Sequence, residues 1–430
     1  MKSWNRFLIV LVIGFSTRLL GAEAVSFSVN GLKVIVKPNS ATDIIAASIY
    51  YRGGAAVLTS DEAGIEKLAL AVAVKASERY PKEILNATLE RMNTSISSSA
   101  TMDFSNIDLQ CVRQYFDTSW SVFADVILHP LMAAEDVELE RQQALTGLRQ
   151  LRDNPDAYLN DLARRAFYLD HPYATSVDGE EGTVGSFTPA QLKAYLSKRT
   201  TASQLLLVVV GNVSPEQVEQ KVKESFGALP AGSFVAPALP PVVHHEPSVK
   251  VVYRELPTDY IEGYFPSPSL SGSDYYAMAA AGAVLRYRLF EEVRTKRSLS
   301  YAPGAGIGGN FSNYGYLYVT AVQPDTTIKV MAAEVKKMMT EPISEAELHN
   351  TVNTFITGYY LRNETNRSQA NVLARYELSG AGYQEADNFI ASIKKVTPEQ
   401  IRDACKKYIE NLQFVIIGNP VSLEIKSFAF

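Results

Sequence analysis

The histidines and cysteines of this chain, the residues a zinc site draws on most, are few and scattered. Five histidines are present, and a metal pair on one helix would need two of them three or four positions apart. None meet that spacing. His129 and His171 each precede a proline at an element boundary, His244 and His245 sit side by side in a proline-rich stretch, and His349 stands at a polar helix start. These placements read as structural or solvent-exposed imidazoles. Cys111 and Cys405 are the only cysteines, too few and too far apart for a disulfide framework or a thiolate zinc cluster. The run from Gly304 to Gly309 (GAGIGG) satisfies GxGxxG, but a dinucleotide site needs a strand before it and a helix starting on it. Here the β-forming stretch Tyr314 to Val322 follows, so the glycines read as a strand-to-strand connection or a bulged edge. No serine or cysteine nucleophile signature accompanies them.

The elements that would position a site belong to a large chain. At 430 residues, two or more domains are expected. The 47% hydrophobic and 20% charged composition suits a globular protein rather than a disordered or fibrous one. Lys and Arg total 41 against 46 Asp and Glu, with no long block of one sign, so no nucleic-acid partner is expected. At the N-terminus, Lys2 and Arg6 precede the apolar run Phe7 to Phe15, and Ala22-Glu23-Ala24 supplies a small-x-small cleavage pattern. Residues 1–24 therefore read as an export signal, and no later stretch approaches the roughly 20 apolar residues of a membrane span.

After the signal, Val25 to Val29 and Leu32 to Val36 flank Asn30-Gly31 and predict a hairpin. Ile44 to Tyr51 and Asn106 to Val112 read as strands; Gly64 to Ala76, Tyr115 to Ile127, Ala134 to Gln150 and Tyr158 to Tyr168 read as helices. The class is α+β. An internal repeat organises it: LLLVVVGN from Leu205 matches LQFVIIGN from Leu412, and Glu138 to Tyr168, containing Thr146-Gly147, has the layout of Glu347 to Tyr376, containing Thr357-Gly358. Residues 229–247 between them hold five prolines, which keep a segment extended. The reading is two homologous halves, residues 25–232 and 248–430, joined by a proline-rich linker at 233–247, each half a sheet packed with helices on one side.

At this point the sequence resembles the pitrilysin/insulinase-type zinc metallopeptidases, whose inverted motif is His-x-x-Glu-His. The segments carrying the resemblance are NGLKVIVKPN at Asn30, YRGGA at Tyr51, ADVILHPLM at Ala124, LRQLRDNP at Leu148, HPYATSVDGEEGTVGSFTPAQLKAY at His171, LLLVVVGNVSPEQV at Leu205 and RLFEEVRTKRSLSYAPG at Arg288. Their order and spacing span the chain after the signal. That family needs two neutral imidazoles one helical turn apart, a glutamate base, and a distant glutamate as third ligand. Counted from Gly64, the histidine positions fall on Lys67 and Ala71 and the base on Leu70; the distal glutamate falls at Thr146 or Gly147. None can ligate a metal or accept a proton in these roles, and no histidine precedes His129 to rescue the motif.

The resemblance is to the metal-free subunit of bacterial two-subunit forms, whose C-terminal half faces the bound peptide with an arginine and a tyrosine. The matching residues are Arg297 and Tyr301 in RSLSY, with Arg294 as a neighbouring alternative. An arginine can donate to a peptide carbonyl or a developing oxyanion, and a tyrosine hydroxyl adds a directional donor. Val284-Leu285 and Arg286-Tyr287 stand where the family often carries glycines, so a flexible glycine-rich loop is not expected there. The resemblance implies an exported, periplasmic subunit without its own cofactor that completes the peptide chamber of a homologous zinc-bearing partner acting on peptides or unfolded proteins. The runner-up is a peptide-binding or structural scaffold with no peptidase partner.

Overall fold

In the computed structural model, which describes residues 23–420 and 423–428, Asn30 (φ 48) and Gly31 (φ 92) turn the chain between β1 (Val25–Val29) and β2 (Leu32–Pro38). Both positions need positive φ, which the Asn-Gly pair tolerates. The export signal read at residues 1–24 lies, apart from Glu23 and Ala24, outside the described residues. Among the described residues no helix is long and apolar enough to cross a membrane.

The first half builds a six-stranded sheet from β1, β2, β3 (Ile44–Arg52), β4 (Ser95–Ala100), β5 (Phe104–Val112) and β6 (Leu205–Gly211), in the order β1-β2-β6-β3-β5-β4. The second half builds a five-stranded sheet from β7 (Ser248–Tyr253), β8 (Asp259–Ser267), β9 (Gly304–Ile307), β10 (Asn313–Ala321) and β11 (Gln413–Gly418), in the order β7-β11-β8-β10-β9. Setting aside β1, the two orders are the same. Each sheet has one parallel pair, β2 with β6 and β7 with β11, in equivalent places. The repeat seen in sequence is thus a repeat of topology.

The glycine run from Gly304 opens β9, and β9 pairs antiparallel with β10. No helix starts on it. The loop Asp153-Asn154-Pro155 ends one helix, Ala134–Asp153, and begins another, Pro155–Phe167. The sequence suggested a helix start at Tyr158; the start is earlier because proline fits the first helical position and Asn154 caps it, accepting the Ala157 N–H at 3.1 Å.

Each sheet packs its own helices on one side. The opposite side is closed by a helix from the other half: Pro155–Phe167 lies on β8 and β11, and Asn366–Leu378 lies on β3 and β6. This exchange explains why β6 and β11 are apolar without alternation. On β6, Leu205, Leu207 and Val209 enter the core of the first half, while Leu206, Val208 and Val210 meet Ala370, Leu373 and Ala374 of the exchanged helix. Each such buried aliphatic side chain contributes about 1.5–3 kcal/mol.

The seam between the halves also holds buried carboxyls. Asp103 accepts the Tyr173 hydroxyl and the Phe311 N–H, the latter at 3.2 Å. Burial pushes its pKa up to about 6. Glu262 on β8 faces Asn160 and Tyr264, and burial pushes its pKa up to about 7. The linker is pinned to this seam, since the carbonyl of Pro240 accepts the Ser312 hydroxyl at 3.1 Å and Asn411 donates to the carbonyl of His244 at 2.7 Å.

Candidate functional site

The cleft begins with two glycines. Gly64 (φ 86) precedes the helix Ile65–Ala73, and a Cβ there would lie 2.8 Å from the Cα of Gly179, itself at φ 80. Only glycine permits that approach. The contact brings the loop carrying Asp178 against the first turn of the helix. Apolar residues at helical spacing, Ile65, Leu68, Ala69 and Val72, turn into the core. Glu66 anchors the helix sideways: it accepts the Tyr195 hydroxyl at 2.5 Å and lies 3.1 Å from the Arg199 guanidinium.

Lys67 and Ala71 therefore face out, and the helix Ala134–Asp153 faces them with Glu140, Gln143 and Gly147. Together with Asp178 they line a cleft of about 380 Å³. Of the two distal candidates, Gly147 lines the cleft, whereas the Thr146 hydroxyl turns back to the carbonyl of Gln142 at 2.8 Å. Leu70, at the base position, is wholly buried in the core of the first half.

The donor set does not fit a zinc ion. At the positions read from the sequence as ligands stand an ammonium (Lys67), a methyl group (Ala71) and, at Gly147, no side chain. The cleft has two carboxylates, and each is matched by a lysine: Asp178 by Lys67, and the buried Glu140 by Lys75 at 2.8 Å. Among the described residues no three His, Cys, Asp or Glu side chains gather as a ligand set. The charges of the cleft are internally paired.

The second half places Arg297 and Tyr301 around an unexpected element. The helix Tyr275–Leu289 runs into a π-helical turn, Phe290–Thr295. Such turns often mark functional sites. Arg297 reaches back to this turn, donating to the Glu292 carbonyl at 2.8 Å and to its carboxylate at 2.6 Å. Hydrogen bonds from Lys296 and Arg297 hold the Glu292 carboxyl down to about 2. Tyr301 is 77% exposed, with the Arg294 guanidinium 3.9 Å from its ring centroid. Arg297 and Tyr301 are thus near neighbours with separate partners, and neither lines the cleft of the first half.

Sequence reasoning missed Asp178 and Glu140. Asp178 lies 111 positions from Lys67, and only its DGEEG turn hinted that the loop was specialised. Glu140 could have been found from helical phase, because it lies two turns before Gly147 on the same face.

Comparison with known proteins places these features in context. Residues 33–181 match the family described as Insulinase (Peptidase family M16), and residues 186–355 match Peptidase M16 inactive domain. An uncharacterized zinc protease of Mycobacterium leprae (strain TN) is 28% identical over 289 residues, covering 65% of this chain and 65% of its own length. The chain thus spans just under two thirds of that relative. A protein of Helicobacter pylori (strain ATCC 700392 / 26695) designated a non-peptidase homolog is 22% identical over 433 residues, covering 96% of this chain and 99% of its own length. Among solved structures, the peptidase M16 inactive domain from Pseudomonas fluorescens superposes with a TM-score of 0.82 at 18% identity, covering 92% of this chain and 98% of that one. The last likeness shows the fold alone.

Proposed function

The chain belongs to the insulinase-type (M16) peptidase family, as a homologue without the zinc ligands, and from that premise we propose that it is the catalytically incomplete subunit of an exported peptidase pair. In this reading its two halves complete a peptide chamber for a homologous, zinc-bearing partner. Zinc belongs to that partner, which activates the water. This chain contributes the grip on the peptide, from Arg297 and Tyr301 with Arg294 beside them.

One observation carries the reading. The first half carries no metal ligand at the positions read for one, while the second has an exposed arginine–tyrosine cluster just after a π-helical turn, where Tyr301 is 77% exposed and stacked by Arg294 of that turn rather than buried in a core. A bare scaffold has no need for a solvent-facing aromatic ring held in place by a cation. Arg297, freed from Glu292 by an incoming peptide, can donate a hydrogen bond to a peptide carbonyl.

The test is co-purification of the chain from its native cell, followed by peptide hydrolysis with the captured homologue. Turnover by the pair well above that of the zinc-bearing subunit alone supports the proposal. Failure to capture any homologous chain, with a processed and folded protein in hand, turns the reading to a partnerless scaffold. N-terminal mass spectrometry tests export and periplasmic location, with cleavage after Ala24 expected.

A further inference from the structure

A second cavity, of about 220 Å³, lies in the C-terminal half between the helices Tyr275–Leu289, Glu345–Arg362, Asn366–Leu378 and Phe389–Ile393. It is separate from the cleft of the first half and shares no residue with it. Its walls are aromatic. Phe389 stacks on Tyr359 with ring centroids 5.4 Å apart and an interplanar angle of 9°, and Phe355 tilts against Phe389 at 6.2 Å.

Its charged groups are of one sign and are underused. The Arg362 guanidinium has no hydrogen-bond partner or ion pair among the described residues, and Arg375 makes one bond, to the carbonyl of Gly309 at 2.9 Å. Among the described residues no carboxylate forms an ion pair with either, although the charge of Arg375 is felt by Asp103 in the neighbouring seam. Tyr275 also lines the cavity, and its hydroxyl has no hydrogen-bond partner among the described residues. Burial raises this phenol above its ordinary value, and the charges of Arg375 and Arg362 oppose that rise. Both cations therefore act on the Tyr275 phenol within the lining of the cavity.

An aromatic box with two guanidiniums lacking carboxylate partners and a free hydroxyl in its lining selects its ligand by chemistry. The cations repel amines and attract a carboxylate, which guanidinium binds with matched geometry. The aromatic walls require an apolar body beside that carboxylate, which a phosphate or sulfate lacks. The volume falls below the roughly 300–1,000 Å³ of drug-sized sites, so the body is about one residue in size.

We propose that this cavity is a binding site for a residue-sized apolar carboxylate, with its side chain among Phe355, Tyr359 and Phe389 and its carboxylate at Arg362, Arg375 and the Tyr275 hydroxyl. The same chemistry is offered by the C-terminal residue of a peptide ending in phenylalanine or leucine and by a free small aromatic acid. The site is independent of the peptidase reading and belongs to the isolated chain.

Isothermal titration of the full chain tests it with N-acetyl-phenylalanine against N-acetyl-phenylalaninamide, which differ in the carboxylate alone. The acid is expected to bind and the amide to bind about tenfold or more weakly, the scale of one charge-assisted hydrogen bond. Arg362→Ala, at an exposed helix end, and Tyr275→Phe each weaken the acid without changing the amide, and thermal melting checks that both variants fold. Tighter binding of Ala-Ala-Ala-Phe than of the single residue supports a peptide terminus as the source; tighter binding of the single residue supports a free acid. Equal binding of acid and amide, no binding of either at millimolar concentration, or an Arg362→Ala, Arg375→Ala double variant that binds the acid as before would overturn the proposal.

Discussion

Lys67 is ion-paired with Asp178 across the mouth of the cleft that Gly147 also lines. A fixed positive charge stands where an active relative needs a neutral imidazole, and its counter-charge comes from a loop held in place by the Gly64–Gly179 contact. The cleft has been made self-sufficient in charge, so it has no demand for a cation.

Zinc content follows directly. After dialysis the isolated chain is expected to hold far less than one zinc per molecule by metal analysis. Lys67→His, Leu70→Glu and Ala71→His together should leave that value low, because Gly147 supplies no third ligand. A Cβ at Gly147 meets nothing within 4 Å, so Lys67→His, Ala71→His and Gly147→Glu together should raise zinc uptake toward one. Equal uptake with Thr146→Glu in place of Gly147→Glu would show the distal position to be misassigned. Leu70→Glu places a carboxylate in the apolar core, and a loss of about 3 kcal/mol or more is expected.

The ion pair itself contributes little. With side chains 53% and 44% exposed, Asp178→Ala should cost less than about 1 kcal/mol in chemical denaturation. Gly64→Ala should cost more, about 1–3 kcal/mol, since it strains a positive φ and drives a Cβ onto backbone. If the order of these two losses were reversed, the account of what positions the cleft would fail.

The stability contributed by Asp103 and Glu262 should fall as pH rises from about 4 to 7, against the opposite slope from His171 and His244, whose pKa values burial lowers. Asp103 and Glu262 have folded pKa values raised to about 6 and about 7 from ordinary values of 3.8 and 4.5. A raised carboxyl binds its proton more tightly in the folded state, so its contribution is complete below the unfolded value and is lost as pH passes the folded one. Denaturation midpoints measured across this range check the sign, and Glu262→Gln should flatten the upper part of the curve. A curve that climbs from pH 5 to 7 and is unchanged by Glu262→Gln would contradict it.

If Arg297 donates to the developing oxyanion, Arg297→Ala should lower turnover of the assembled pair about 100- to 1,000-fold, equivalent to about 2.7–4 kcal/mol. Tyr301→Phe should cost less, since one neutral donor is lost. Sedimentation establishes that the complexes still assemble. Because Glu292 holds Arg297 in the free chain, Glu292→Gln should weaken that hold and lower KM more than it changes kcat. Unchanged turnover in an assembled Arg297→Ala, Tyr301→Phe pair leaves only a scaffold role.

The halves should not be separable. Residues 25–232 alone would expose Ile35, Tyr50, Leu206, Val208 and Val210, which the helix Asn366–Leu378 covers. Expressed by itself, this half is expected to bind a hydrophobic dye or aggregate, whereas the intact chain does neither.

The sequence by itself determined that positions 67, 70 and 71 carry neither histidine nor carboxylate, because ligand chemistry belongs to residue type. It also determined the duplication, since LLLVVVGN and LQFVIIGN carry a local pattern that survives without coordinates, and the Asn30-Gly31 turn, whose backbone preference is intrinsic. The exchange of helices between sheets was beyond it. A continuous apolar strand declares that both faces are covered, but not by which segment, because burial is non-directional and the covering helix is remote in sequence. The choice of Gly147 over Thr146 was likewise tertiary: adjacent helix positions differ by about 100° in direction, and only the packing of Ala134–Asp153 against Ile65–Ala73 sets which one meets the cleft. The pairing of Lys67 with Asp178 required two glycine backbones to touch, a contact that leaves no periodic trace in the chain.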